Sequence, residues 1–182
     1  MKDVRIRLAS NDQTSPSQSV IGCIETLNQG REFLDTLTQE DYVFIPQPHF
    51  SSSIGEHFRH WLDLFHAIKL NPLKIDYNVR RRGHIVERSL EVVKQEISDL
   101  IEWALQLTSD ELSQSVSVQT EVLLSQTHVE EVISSLAREL TFATLHATHH
   151  FAMAKVAASL RGVDSDSYFG VAPTTATYQR AQ

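Results

Sequence analysis

Four stretches of this chain repeat their apolar residues at helical spacing, and that periodicity limits the possible architectures more than any other feature. From Ser17 to about Gln39, Val20, Ile24, Leu27, Leu34 and Leu37 recur at steps of three, four and seven. A second stripe, Ile54, Phe58, Trp61, Leu62, Phe65 and Ile68, follows the N-cap candidates Ser51 to Ser53 and ends at Asn71-Pro72. A third runs from about Ile85 to Leu107 through Val86, Leu90, Val93, Ile97, Leu100 and Ala104. The last starts at Ser134 or Ser135, carries Leu136, Leu140, Ala143, Ala154 and Ala158, and stops near Leu160 before Gly162.

One helix cannot bury such a stripe alone, so the sequence predicts an all-α fold, a four-helix bundle. Between the third and fourth helices the period changes. Val116, Val118, Thr120 and Val122 alternate, which predicts a strand paired with Val129–Ile133 as a short β-hairpin excursion. The segment "LKIDYNVRRRGH" reads as irregular. A single domain over 1–182 is expected, with an N-terminal arm over 1–16. An irregular tail over 163–182 is expected to pack back through Tyr168, Phe169 and Tyr178.

The composition, 41% hydrophobic and 21% charged, suits a globular chain with a real core. A net charge of -7 argues against a nucleic-acid partner, because neutralising phosphates takes a basic face. The only basic cluster, "RRRG" at 80–83, reads as a solvated turn or local ion pairs. No glycine-rich phosphate loop is present. Cys23 is the single cysteine, which excludes an intramolecular disulfide and a multi-cysteine zinc site; between Ile21 and Ile24 it reads as a small buried hydrophobe. The first residues lack the apolar core of a secretory signal, and no apolar run approaches the ~20 residues that span a bilayer. The expectation is a cytoplasmic protein with no membrane partner.

The chemistry-bearing residues are histidines. In "TLHATHHFAMAKV", His146 and His150 lie one helical turn apart on one flank of the last helix, so two imidazoles can reach one ion. Partly buried histidines hydrogen-bonded to their surroundings would give the same pattern. His149 points away, toward solvent or a neighbouring helix, and Glu139 shares the flank two turns earlier. A third ligand must come from another helix, and "SIGEHFRHWLDLFH" offers His57, His60 and His66. Periodicity puts His57 slightly nearer the apolar stripe than His60, with His66 opposite, and leaves the choice open. Asp63 could orient His60, ligate, or be an exposed helix acid.

Ser53 to His60, a serine, an apolar residue, two polar residues, an apolar pair and a histidine, resembles the second helix of the DinB/YfiT-like superfamily. "LHATHHFAMAKV" resembles that family's HxxxH run, where a doubled histidine is common and its second member is the ligand. "SIGEHFRH" with the following "LD", "IDYNVRRRGHIVE", "SSLAREL", "HATHHFA" and "FGVAPTTATY" resemble one bacterial subgroup. These stretches touch most of the chain after residue 50; their order and spacing, not any single motif, carry the likeness. The chain departs from the subgroup at Leu64, where a histidine is common, with His66 nearby instead.

The resemblance implies a divalent metal held by His60, His146 and His150, with His57 as a possible additional ligand or as a hydrogen-bond donor to one of the ligands. It also implies a homodimer. Three neutral imidazoles leave an ion its full charge and an open position; zinc or nickel suits them best, and iron, copper or manganese also fit. The expected function is a metal-dependent thiol S-transferase or hydrolase acting on a small molecule, with a low-molecular-weight thiol as co-substrate. The other expectation is a stress-associated binding or scaffold protein whose metal is structural or absent.

Overall fold

The computed structural model describes residues 16–182, so the arm expected over 1–16 lies outside the described residues except for Pro16. The chain folds as α1 (Gln18–Leu34), α2 (Gln39–Val43), α3 (Ile54–Leu70), β1 (Lys74–Asp76), α4 (Leu90–Leu105), α5 (Ser109–Ser113), β2 (Ser115–Glu121), β3 (Val129–Ser135), α6 (Leu136–Ser159) and α7 (Pro173–Arg180). It is helix-rich, and the expected hairpin is part of a small three-stranded sheet. α6 packs on α3 and α1, and α4 packs on α1 and α3.

Local chemistry sets the ends of these helices. Ser53 accepts from the Glu56 backbone while Glu56 Oε2 accepts from the Ser53 N–H at 2.7 Å, a reciprocal cap that starts α3. Ser17, Ser89 and Ser135 cap α1, α4 and α6. The first predicted helix ends earlier than its apolar pattern. Thr38 and Asp41 form a capping box of their own and begin α2, leaving Leu37 buried in the connection. The third is also interrupted: Ile85–Glu87 forms a 3-10 turn before Ser89 restarts the helix. α6 closes at Gly162, whose φ of 75° is left-handed and lets Val163 N–H reach the Ala158 carbonyl at 3.1 Å.

The predicted hairpin forms, with Val118 opposite Val132 in antiparallel register. Its strand β2 also takes β1 in parallel, Ile75 opposite Val118. Three residues are too few to show alternation, so β1 was not legible within the irregular segment. Val116, Val118 and Ile75 bury against the helices, whereas β3 keeps its apolar residues exposed. Of the three tail aromatics, only Phe169 is buried, stacked on Phe33 at 4.0 Å and Phe151 at 4.9 Å. The tail is not irregular throughout, since α7 forms after Ala172. Among the described residues, no helix is long and apolar enough to cross a membrane.

The α3–α6 seam positions the site. Phe58 stacks on Phe151 at 5.7 Å, and Trp61 meets the same ring edge-on at 5.5 Å. All three are fully buried. Burying such a side chain contributes about 1.5–3 kcal/mol, against about 1 kcal/mol net for a hydrogen bond, so the aromatics and not the polar contacts set the helix crossing.

Candidate metal centre

Three of the four clustered histidines are chain neighbours of a seam aromatic: His57 beside Phe58, His60 beside Trp61, and His150 beside Phe151, with His146 one turn before His150 on α6. The crossing of α3 on α6 therefore brings the imidazoles together across 86 residues of sequence. His146 Nε2 lies 3.1 Å from His60 Nε2 and 3.1 Å from His150 Nε2. One ligand atom from each of the three lies within 4.8 Å of the others. Two nitrogens about 2 Å from one ion in tetrahedral geometry stand ~3.3 Å apart, so the spacing fits a shared ion.

The electrostatics also fit. Burial, then the neighbouring His146 and the Arg80 guanidinium, pushes His60 down to about 4. Burial and the surrounding histidines push His150 down to about 3. Burial, His149 and Arg80 lower His146 as well. Neutral imidazoles present lone pairs, the state a metal requires.

His57 lies on the other side of His150, with Nδ1 to Nδ1 at 3.1 Å. Its near nitrogen faces the back of the His150 ring and not the point where the three Nε2 atoms converge. With the His150 Nε2 lone pair turned to that point, His150 Nδ1 carries the proton and donates to His57 Nδ1. His57 Nε2, buried without a hydrogen-bond partner, then holds the His57 proton. The geometry makes His57 a support for the His150 ring and leaves it outside the triad.

The remaining polar residues are committed elsewhere. Asp63 neither touches nor orients His60: its carboxylate takes Arg59 at 3.2 Å, and Arg81 Nε at 2.7 Å with the Arg81 backbone N–H at 3.1 Å. His66 bonds Glu96 at 2.6 Å, and Arg81 binds the same carboxylate. Burial would raise Glu96, but hydrogen bonds and charge from His66 and Arg81 hold it at about 2. Glu139 is buried and accepts from the Tyr77 hydroxyl at 2.9 Å, Ser134 at 2.6 Å and Arg138 at 3.0 Å. His149 is exposed. Cys23 is buried with its thiol pushed up to about 12 by desolvation, consistent with a packing role.

Arg80 lies in the basic cluster expected to form a solvated turn or local ion pairs, and the resemblance offered Tyr77, Arg82 and Glu87 as its partners. It is instead half-buried, its hydrogen bond goes to the Val79 carbonyl, and its charge reaches both His60 and His146. Three adjacent arginines were the available signal, but which one faces inward depends on the anchoring of the loop.

No family model matches the chain, and no solved structure matches it. A curated protein of Rhizopus delemar, FK506-binding protein 5, is 31% identical over 114 residues, covering 59% of this chain and 28% of that protein. The chain thus spans little more than a quarter of the curated relative it matches. None of these comparisons bears on the DinB/YfiT-like resemblance.

Proposed function

We propose that the chain is a DinB/YfiT-like four-helix-bundle protein and a metal-dependent enzyme that transfers a low-molecular-weight thiol to a small electrophile or hydrolyses a small substrate. The observation that carries this reading is the convergence of His60, His146 and His150 Nε2 atoms from two helices. The mutual packing of α1, α3, α4 and α6 supports the bundle. A divalent ion, zinc or nickel by ligand chemistry, supplies Lewis acidity that lowers the pKa of a bound thiol or water. The chain's own part is to keep three imidazoles neutral, lock the His150 tautomer through His57, and shield one side of the site with the aromatic seam.

One observation favours a second reading, a stress-associated binding or scaffold protein with a structural metal or none. Among the described residues Asp63, Glu87 and Glu139 are each tied up in hydrogen bonds, so none is a free general base beside the triad. Metal analysis of untagged wild type should find about one ion per chain, and H60A, H146A and H150A should each lose it. Full occupancy in all three variants would refute the assignment. A cobalt-substituted sample whose spectrum shifts with thiol or azide supports the enzyme; indifference to both supports the scaffold.

A further inference from the structure

The loop between β1 and the 3-10 turn is pinned at both ends beside the histidines. At one end, the Tyr77 hydroxyl donates to Glu139 on α6, and Tyr77 and His146 flank the same Phe142 ring, at 5.6 and 5.8 Å. At the other, the Arg81 backbone N–H and guanidinium hold Asp63 on α3, three residues past His60. Val79 and Arg80 must therefore bridge from the α6 side of the site to the α3 side.

Arg80 differs from its neighbours in what it holds. Arg59 pairs with Asp63 and Glu87, and Arg81 with Asp63 and Glu96. Among the described residues Arg80 has no carboxylate within 4.0 Å, and its one hydrogen bond goes to the adjacent Val79 carbonyl at 3.3 Å. The acids whose charge it feels are already engaged, Asp63 by two arginines and Asp76 by Asn78. Burial lowers its pKa from the usual arginine value, as expected for a guanidinium partly stripped of water without a paired anion. A half-buried guanidinium without an ion-pair partner keeps most of its donors free for an anion.

We infer that Arg80 is the anion-recognition group of the three-histidine site, so that its small-molecule ligand carries a carboxylate or a comparable oxyanion. This rests on the proposed metal reading for the reacting end of the ligand. The Arg80 end stands on the loop geometry and on the absence of an ion-pair partner among the described residues. The planar fork of arginine suits bidentate binding of a carboxylate, which lysine reproduces only as a point charge.

The test uses two thiols of matched size, mercaptopropionate and the neutral mercaptopropanol, titrated into the cobalt-loaded full chain and followed by the thiolate-to-cobalt band. Wild type should prefer mercaptopropionate by about ten- to a hundredfold. R80Q should lose that preference while binding mercaptopropanol within about twofold of wild type, and R80K should fall between. No preference in wild type, or equal weakening of both thiols in R80Q, overturns the inference. If R80Q fails to fold, an undiminished preference in R80K overturns it and a reduced one supports it.

Failure to take up cobalt would sink the metal reading and not this one. Calorimetry of mercaptopropionate with metal-free protein then decides. Binding abolished in R80Q supports the Arg80 assignment, and absent or unchanged binding rejects it.

Discussion

Helix α3 carries two polar regions that solve burial in opposite ways. One side holds a closed charge network: Arg59, Asp63, Arg81, Glu87, Glu96 and His66 satisfy one another through contacts of 2.6 to 3.2 Å. The other meets α6 with neutral imidazoles whose Nε2 atoms face each other across 3.1 Å, with a cation nearby that no acid neutralises. A closed network serves the fold. A cluster of imidazole nitrogens facing one another satisfies only part of its own hydrogen-bonding capacity, and proteins keep such groups where something else binds.

The sharpest break of this comparison is a double dissociation. Asp63→Asn removes the carboxylate shared by two arginines and should destabilise the metal-free protein by roughly 3 kcal/mol, the low end for breaking a buried pair. H60A or H146A should cost no more than about 1 kcal/mol in the same urea titration while abolishing metal binding. Comparable destabilisation by both kinds of variant would remove the distinction.

Next is His57→Phe, which takes away the acceptor behind His150 but keeps an aromatic ring. Metal affinity should fall by about tenfold or more, measured by competition with a chelator, with the ion still bound at saturation. Complete loss of the ion would instead make His57 a ligand.

Acid should separate the two regions. His60 and His150 sit at about 4 and about 3 in the folded chain, below the usual 6.5. Their unfolded forms therefore bind more protons as pH falls below about 6.5, and stability is lost from there down toward about 3. Glu96 is depressed from 4.5 to about 2, so its contribution is fully present above 4.5 and lost as pH falls toward about 2. Both losses have the same sign but start two pH units apart. The urea midpoint of metal-free protein should begin to drop near pH 6.5, and an H60A/H150A double variant should delay most of that drop to the carboxylate window. The smallest effect belongs to the pair between exposed Asp35 and half-buried Lys94, where Asp35→Asn should change stability by under about 0.5 kcal/mol.

The sequence made the four long helices readable because stripes such as Ile54, Phe58, Trp61 and Leu62 bury on one side at the expected period. Their interruptions were less readable, since Thr38 and Asp41 act through a local hydrogen-bonded box that apolar spacing ignores. At the site, the His146–His150 spacing was plain, and the resemblance selected His60. Periodicity leaned toward His57 because His57 and His60 are neighbours on one face of α3. Both meet His150, but from opposite edges of its ring. Which edge is a matter of helix crossing, and that is fixed by Trp61 and Phe58 against Phe151. Asp63 was unreadable for a simpler reason: its strongest partner, Arg81, lies 18 residues away in a loop.

The stacked rings of Phe33, Phe169 and Phe151 set a limit on how the end of the chain tolerates change. Phe151 follows His150, so a cut ahead of Phe169 would unseat a slab that braces the residue next to an aimed imidazole. Beyond Ala172 nothing in α7 is buried. Truncations and fusions should be harmless from Pro173 onward and costly a few residues earlier, a sharp frontier within one short segment.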